Sequence, residues 1–382
     1  MPYELTLDAP PAGYAMHNAS GVEGNLAVIA VREFTSSEDG ELFISRLEGI
    51  PNQLIAKLPP HAQVFPSTVD HLIAVIRPGL RTTVYVNECP VMMRARMGRR
   101  IEAGEVVYER DIIDIDAIEF QGVDFPEDAA VLCVFSAGWR KGMFFDFTPL
   151  GPDAPKRDYD IGKLLGSYYA YLKSQRVFSL DEADWLFLLE RGWFPFVSVP
   201  ANIKTKIVAF AKSRDDLDRL LPELLAELKR LVPTMLERWA ESSLFAPHIE
   251  LFRHAVEEFN EEDYVSSTAI LYPRIEGLLR TLHEALGIAE KASQKVLTAA
   301  AVEARATEFH RYSWLLPEMF RRYMNDVYFA SFEPGKPATL SRNSVGHGVA
   351  SSDDFNMKGA MIGILILDQL FYFLPAQQPN AG

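Results

Sequence analysis

The residues of this chain best suited to chemistry lie near its C-terminal end, in the segment Arg342–Gly348, which reads RNSVGHG. A histidine titrates near neutral pH, so His347 can take or give a proton. An arginine stays charged and can bind two phosphate oxygens at once. Cleavage of RNA without a metal ion needs both properties. A base must take the 2′-hydroxyl proton while a cation stabilises the charge that develops on the phosphate.

The residues around this pair make the pattern more specific. Asn343 can orient the phosphate or the arginine through its amide, and Gly348 can end a turn and let a nucleic-acid strand approach the backbone. The spacing of arginine and histidine alone carries little weight, since it recurs at Arg305 and His310. The segment at 342–348 adds an asparagine after the arginine, a glycine after the histidine, a loop before and an apolar helix behind.

This combination resembles the RNxxxHG motif of HEPN domains, which are small helical bundles. The segment Ile270–Arg280 is similar to an early helix of those domains, in which many members carry an acidic residue that faces inward. Glu276 stands within that segment. The resemblance covers roughly residues 246–374 and nothing before them, and it implies that the C-terminal region is a bundle of four or five helices.

The resemblance also implies a function, that of a metal-independent endoribonuclease acting on RNA. His347 would be the general base or acid, Arg342 would stabilise the phosphate and the transition state, and Asn343 would complete the catalytic group. A two-fold homodimer through the C-terminal helices would bring two motifs together. The products would carry 2′,3′-cyclic phosphate and 5′-hydroxyl ends. Substrate binding or support is expected from Glu276, Arg280 and Gly348.

HEPN ribonucleases frequently act as toxins or in defence against phage. The resemblance therefore implies that the upstream regions sense a trigger or restrain the activity, with a trigger or antidote protein as partner. Two other interpretations stay open. A HEPN bundle can be a non-catalytic module for dimerisation or for binding a nucleotide or partner, with Arg342 paired to Glu276 or Asp353 and His347 capping a helix. The helices can also belong to no HEPN domain at all.

No motif of another enzyme class competes with this one. The sequence contains no Gly-rich phosphate loop, no G-x-S-x-G elbow and no H-E-x-x-H zinc pattern. Cys89 and Cys133 are too few for a disulfide framework and lack the spacing of a zinc or redox pair. They lie in apolar runs, which are typical of buried thiols. We therefore expect neither a metal nor a cofactor.

The balance of charge is acidic, with 52 Asp and Glu residues against 38 Lys and Arg residues and a formal net charge of −14. This charge argues against a dedicated nucleic-acid-binding protein, although not against a nuclease that contacts a few nucleotides. Basic residues modestly outnumber acidic ones between Lys291 and Arg342. The N-terminus has no basic and apolar leader, and Asp368 and Gln369 interrupt the apolar stretch Met361–Leu374. We expect a buried helix there, no membrane segment and a cytoplasmic protein.

Residues 1–150 predict a β-rich domain whose role the sequence does not indicate. Their short strand-like runs are separated by turn residues, with few helical periods between them, which favours an antiparallel sandwich or open barrel. Runs at 130–135 and 139–147 flank a Ser-Ala-Gly turn and indicate a hairpin. The other runs are Asn25–Arg32, Leu72–Ile76, Arg81–Val86 and Val106–Tyr108.

Beyond a breaker cluster at 150–155 the pattern becomes helical. We predict a helical connector at 151–240 and the HEPN-like bundle at 241–382, which gives an α+β fold class. Ser179 and Glu182 have the spacing of a capping box. Leucines at helical spacing predict a helix over 215–240, which Pro222 and Pro233 would kink or divide. The pair predicted to cap the last, apolar helix is Ser351 and Asp354.

Overall fold

The computed structural model describes residues 2–11, 31–37, 49–65, 68–150, 156–303, 309–333 and 339–374. Contacts within the chain form two compact units, which we call the sheet unit (1–95 and 115–175) and the helical unit (96–114 and 176–382). An antiparallel sheet and a predominance of helices after it confirm the predicted α+β class. The predicted domain boundaries at about 150 and 240 stay a prediction.

The described strands are eight: β1 (Tyr3–Thr6), β2 (Arg32–Ser36), β3 (His71–Ile76), β4 (Arg81–Val86), β5 (Val91–Met97), β6 (Ile112–Phe120), β7 (Ala130–Ala137) and β8 (Arg140–Asp146). Six of them form one sheet in the order β1-β4-β3-β7-β8-β2. Its neighbouring strands are antiparallel throughout. The strands β5 and β6 pair separately as a ribbon.

Most of the predicted strands are confirmed. The runs at 72–76 and 81–86 form β3 and β4, and the predicted hairpin is β7–β8, with Gly138 at φ +65° in its turn. The run Val106–Tyr108 forms no strand, and all three of its side chains are exposed. Residues 25–30 of the run Asn25–Arg32, the breaker residues 151–155 and Arg305 lie outside the described residues.

The central strand β3 is buried along its whole length, because both faces of the sheet are covered. Ile50 and Leu54, from a helical stretch at 49–55, join the apolar core on one face. On the other face lies α1 (Ile161–Phe178), where the Tyr168 ring stacks on Phe34 with 3.9 Å between centroids. The predicted sandwich or barrel is therefore wrong for the described residues. A contiguous apolar run such as β3 is typical of a strand buried on both faces, which helices can cover as well as a second sheet.

Helices account for most of the described part of the helical unit. The long ones pack around a continuous apolar core, to which the sequence after residue 176 contributes almost every member. The HEPN topology of this bundle stays a prediction. In chain order the helices are α2 (Glu182–Glu190), α3 (Ala201–Ser213), α4 (Leu221–Ala240), α5 (Ile249–Asn260), α6 (Tyr264–Ala285), α7 (Gln294–Glu303), α8 (Pro317–Tyr323), α9 (Arg342–Gly346) and α10 (Met357–Phe373), with a π-helical turn at Met324–Tyr328.

Helix boundaries differ from the predicted ones where capping residues compete. Asp181, rather than Ser179, accepts a hydrogen bond from the backbone N–H of Asp184 and begins α2. The predicted Ser351–Asp354 box caps a short 3₁₀ turn, and Asn356 caps α10. Each residue can accept from the first free N–H groups of a helix, so spacing alone does not select among them.

The predicted division of the helix at 215–240 is found at Pro222, where a 3₁₀ turn gives way to α4, and is wrong for Pro233. Pro222 lies in the first turn of α4, where a missing N–H costs nothing, and a 3₁₀ turn at Leu217–Leu220 precedes it. Pro233 lies inside α4, which continues through it to Ala240. Packing of the leucine face on the core therefore outweighs the lost hydrogen bond.

The apolar stretch predicted to be a buried helix is α10, and the polar residues that interrupt it are fully enclosed. The Asp368 carboxylate accepts hydrogen bonds from the Ser198 hydroxyl, the Arg238 guanidinium and the Trp239 indole N–H. The Gln369 amide bridges two backbone groups of the same unit, at 2.7 and 2.8 Å. The two residues thus connect α10 to the elements around it. None of the helices in the described ranges is both long and apolar enough to span a membrane.

We expect Asp368→Ala to lower the free energy of unfolding by about 3–5 kcal/mol, because it leaves the buried Arg238 guanidinium without its counter-ion. Urea denaturation followed by circular dichroism measures the change. Glu261→Ala, which removes an exposed carboxylate, is the control and should stay within about 0.5 kcal/mol of the native chain. If both substitutions had the same small effect, the hydrogen bonds of Asp368 would not contribute to stability as proposed.

Candidate functional site

The first five residues of the motif, Arg342–Gly346, form the helix α9, which is too short to be stable through its own hydrogen bonds. Ser341 and Ser344 fix its start as a capping box. The Ser341 hydroxyl accepts from the Ser344 backbone N–H at 3.1 Å, and the Ser344 hydroxyl accepts from the Ser341 N–H at 2.9 Å. Both residues are buried, so the beginning of the helix is held within the protein.

The end of α9 is a Schellman turn that places His347 at the helix C-cap. Gly348 follows with φ +68°, a conformation that side chains other than glycine adopt at a cost. Its N–H donates to the Val345 carbonyl at 3.1 Å, and the Val349 N–H donates to the Ser344 carbonyl at 3.0 Å. Gly348 therefore ends the turn, as predicted from its type, and directs the chain away just after His347.

Beneath α9 lies the carboxylate of Glu276, which α6 holds in the interior with only 6% of its side chain exposed. Arg342 pairs with its Oε2 atom through Nε. Arg280, one helical turn along α6, donates to Oε1 from Nε at 2.9 Å and from Nη2 at 2.5 Å. Two guanidinium groups thus share one carboxylate. The cluster carries one uncompensated positive charge, and it is accessible, because Arg342 is 26% and Arg280 49% exposed.

Because Gly346 has no side chain, it leaves room for the guanidinium of Arg342. A Cβ atom on Gly346 would stand only 3.0 Å from Arg342 Nη1 and 3.4 Å from Cζ. The guanidinium therefore extends across the last turn of α9, toward the end that carries His347. Sequence analysis missed Gly346 as a site residue. The available signal was a glycine four positions after the arginine, on the same face of a helix.

Asn343 uses both ends of its amide to hold α9 in place. Its Oδ1 accepts from Gln294 Nε2 at 2.6 Å, and its Nδ2 donates to the Phe329 carbonyl at 2.8 Å. Gln294 begins α7, and Phe329 directly follows the π-helical turn at 324–328. The structure thus gives Asn343 a positioning contact with two neighbouring elements. Gln294 was missed because nothing in the sequence connects it to a motif 49 residues later.

The π-helical turn that precedes Phe329 is itself anchored to α6. The buried Tyr328 hydroxyl donates to the Tyr272 carbonyl at 2.6 Å, and burial raises the pKa of Tyr328 far above its ordinary value. π-helical turns occur mostly as single turns and frequently at functional sites. Here the turn leads directly into Phe329, whose backbone carbonyl accepts the hydrogen bond from Asn343.

His347 is exposed at the surface, and its ring lies beside Phe332 with 5.5 Å between centroids and a tilt of 56°. Within the described ranges no hydrogen bond occupies a ring nitrogen of His347. The ring is therefore accessible to a ligand, while the backbone of the residue ends the helix. Of the two carboxylates considered as partners of Arg342, Glu276 pairs with it.

The described ranges contain no group of three or more His, Cys, Asp or Glu side chains that could hold a metal ion. Both cysteines are free and buried, and burial raises the pKa of the Cys133 thiol to about 12. Comparison with known proteins found no matching family model, curated protein or solved structure.

Because Arg280 and Arg342 share the carboxylate of Glu276, we expect substitutions in this cluster to have non-additive effects on the free energy of unfolding. We expect Glu276→Ala to lower the free energy of unfolding by about 2–3 kcal/mol, since it removes the acceptor of two guanidinium groups. Arg280→Ala should cost about 1 kcal/mol or less, because Arg280 is half exposed and Arg342 still pairs with the carboxylate. Adding Arg342→Ala to Glu276→Ala should recover part of the loss, because it removes the half-buried cation that Glu276 had neutralised.

Urea denaturation of the single and double variants measures these free energies. The exposed pair Glu250 and Arg253 on α5 supplies the control, for which the two substitutions to alanine should add within about 0.5 kcal/mol. If Glu276→Ala and Arg342→Ala add in the same simple way, the proposed sharing of the carboxylate is wrong.

Proposed function

We propose that this protein is a metal-independent endoribonuclease of the HEPN type, with Arg342 and His347 as its catalytic residues. The observation that carries the proposal is the geometry at the end of α9. The Arg342 guanidinium lies against Gly346 in the last turn of α9, and the exposed His347 is the C-cap residue that directly follows that turn. The resemblance of RNSVGHG to the HEPN motif and the chemistry of the two side chains support the same conclusion.

In the proposed reaction His347 takes the proton of an RNA 2′-hydroxyl. The 2′-oxygen then attacks the adjacent phosphorus, and the bond from phosphorus to the 5′-oxygen breaks as the new bond forms. The products are a 2′,3′-cyclic phosphate and a 5′-hydroxyl, for which the leaving oxygen needs a proton. The second motif of a two-fold homodimer, which the resemblance implies, would supply that proton from its own His347.

Arg342 is suited to bind the phosphate because it is held in advance. Its Nε forms an ion pair with Glu276, and its Nη1 lies close to Gly346, only 3.0 Å from where a Cβ atom would stand. A cation that is already positioned stabilises developing charge without the cost of reorganisation. Arg280 contributes by sharing Glu276, which leaves the cluster with a surplus positive charge for the phosphate.

The remaining motif residues support this arrangement. Asn343 is a positioning residue in the proposal, since both ends of its amide hold α9 to its neighbours. Gly348 gives the backbone the turn that exposes His347. The biological setting that we propose is a toxin or phage-defence system, in which other regions of the chain restrain or trigger the nuclease.

One contact favours a second function, that of a non-catalytic module that binds nucleotides or a partner. The ion pair with the buried Glu276 gives Arg342 a structural role that needs no reaction. A surplus positive charge beside an exposed ring would bind a nucleotide phosphate even if no bond were cleaved. Cleavage and binding must therefore be measured separately.

The decisive comparison is between the native chain, Arg342→Ala and His347→Ala, each incubated with mixed cellular RNA in the presence of EDTA. We expect the native chain to cleave and each variant to lose at least about a hundredfold in rate, because base and cation act in the same step. Gel electrophoresis measures cleavage, and phosphatase resistance of the 3′-ends identifies the cyclic phosphate.

Matched controls are Arg253→Ala and His254→Ala, which remove an exposed arginine and histidine from α5 and should leave the rate unchanged. Equal cleavage by native chain and site variants would overturn the assignment of Arg342 and His347. If the native chain binds RNA but leaves it intact, and Arg342→Ala weakens the binding, the non-catalytic function is correct instead.

The Gly346→Ala variant tests the geometry of the site independently of the stability of the protein. We expect cleavage to fall about tenfold, because the new methyl group displaces the Arg342 guanidinium, and small misplacements of a catalytic group are costly. The free energy of unfolding should stay the same or rise by about 1 kcal/mol, since alanine favours a helix over glycine. Gly49→Ala, where no atom lies within 4 Å of the new Cβ, is the control. Full activity of Gly346→Ala would show that the guanidinium need not lie against Gly346.

A further inference from the structure

The aromatic side chain beside the proposed catalytic histidine has a position that core packing does not explain. Phe332 lies on the segment between the π-helical turn and α9, and its ring is only partly buried. Phe329, three residues earlier, is fully part of the helical core, whereas Phe332 belongs to neither apolar cluster of the described residues. Its ring contact within the described ranges is the one with His347.

His347 and the partly exposed Phe332 ring do not stack face to face. The ring planes meet at 56°, so His347 touches Phe332 at an angle and does not stack flat upon it. A planar group that entered beside His347 could therefore lie on the phenyl face. The guanidinium of Arg342, which shares Glu276 with Arg280, lies at the same end of α9. A ligand that fits both features has a planar aromatic part and an adjacent anionic part.

We propose that Phe332 is a base-stacking subsite, on which an unpaired nucleobase next to the scissile phosphate lies while Arg342 binds that phosphate. The inference rests on the proposed nuclease function and specifies its substrate as single-stranded RNA. A base inside a duplex is stacked between its neighbours and paired, so it presents no free face to the ring. Stacking on aromatic side chains is tolerant of base identity, and we therefore expect weak preference among the four bases at this position.

The test measures binding of an RNA analogue that cannot be cleaved. A fluorescein-labelled single-stranded 2′-O-methyl oligonucleotide lacks the attacking hydroxyl, so affinity is obtained by fluorescence anisotropy with His347 intact. A second oligonucleotide of the same length carries abasic sites and keeps only the phosphate backbone. The chains compared are the native one, Phe332→Ala, Phe332→Leu and Phe332→Trp, together with the exposed control Val265→Ala.

We expect Phe332→Ala to weaken binding of the base-bearing oligonucleotide about tenfold and to leave binding of the abasic one unchanged. Phe332→Trp should retain or improve the native affinity, and Phe332→Leu, which preserves apolar volume without an aromatic face, should lose most of what alanine loses. If Phe332→Ala proves unstable, Phe332→Leu carries the test. Loss of affinity for both oligonucleotides alike, or for neither, would overturn the inference.

The outcome for the stacking subsite is separable from the outcome for the nuclease. If the base-dependent loss is observed while the native chain leaves unmodified RNA uncleaved, Phe332 binds bases and the proposed catalytic function fails. If the native chain cleaves RNA and the loss is absent, the nuclease stands and the subsite fails. If the native chain binds neither oligonucleotide and cleaves nothing, both fail. The same 2′-O-methyl sequence in a duplex should bind without any difference between native chain and Phe332→Ala.

Discussion

The arrangement at the motif depends on one buried carboxylate. A charged group in the interior is stable only when it is paired, and Glu276 is paired twice, with Arg280 on its own helix and with Arg342 on α9. The first contact is local, since the two residues are one helical turn apart on α6. The second contact joins segments 66 residues apart (342 minus 276). Glu276 therefore joins α6 to α9 through its ion pair with Arg342.

A helix of five residues cannot hold a side chain rigidly unless its environment does so. Besides the ion pair with Glu276, three constraints act on α9: the capping box at its start, the Schellman turn at its end and the amide of Asn343 between them. All three are made by polar groups whose hydrogen bonds have directional geometry. The catalytic candidates are thus placed by polar contacts, while the surrounding helices supply the apolar core. This separation lets the ring of His347 remain exposed on an element that is otherwise well held.

Sequence patterns predicted those features of the site and of the fold that depend on neighbouring residues in the sequence. Gly348 follows from turn chemistry, the hairpin β7–β8 from two apolar runs about a Gly turn, and the buried α10 from an apolar stretch that only Asp368 and Gln369 interrupt. The parts that depend on tertiary contact were beyond such patterns. Gln294 contacts Asn343 only because the fold brings α7 next to α9. The covering of the sheet by helices rather than by a second sheet also depends on segments that are distant in the sequence. Asp181 replaced Ser179 as a cap because local signals of equal strength are resolved by packing.

The charge of the whole chain sets a condition that the site must satisfy. A formal net charge of −14 disfavours long-range attraction of a polyanion, which the proposed RNA substrate is. Affinity must come from contacts within a few ångströms, where one surplus positive charge acts in a partly desolvated cluster. Stacking of a base on an aromatic ring is such a contact, and it is insensitive to the net charge. An acidic protein that binds RNA through few phosphates should therefore depend on Phe332 more, and on salt less, than a basic one.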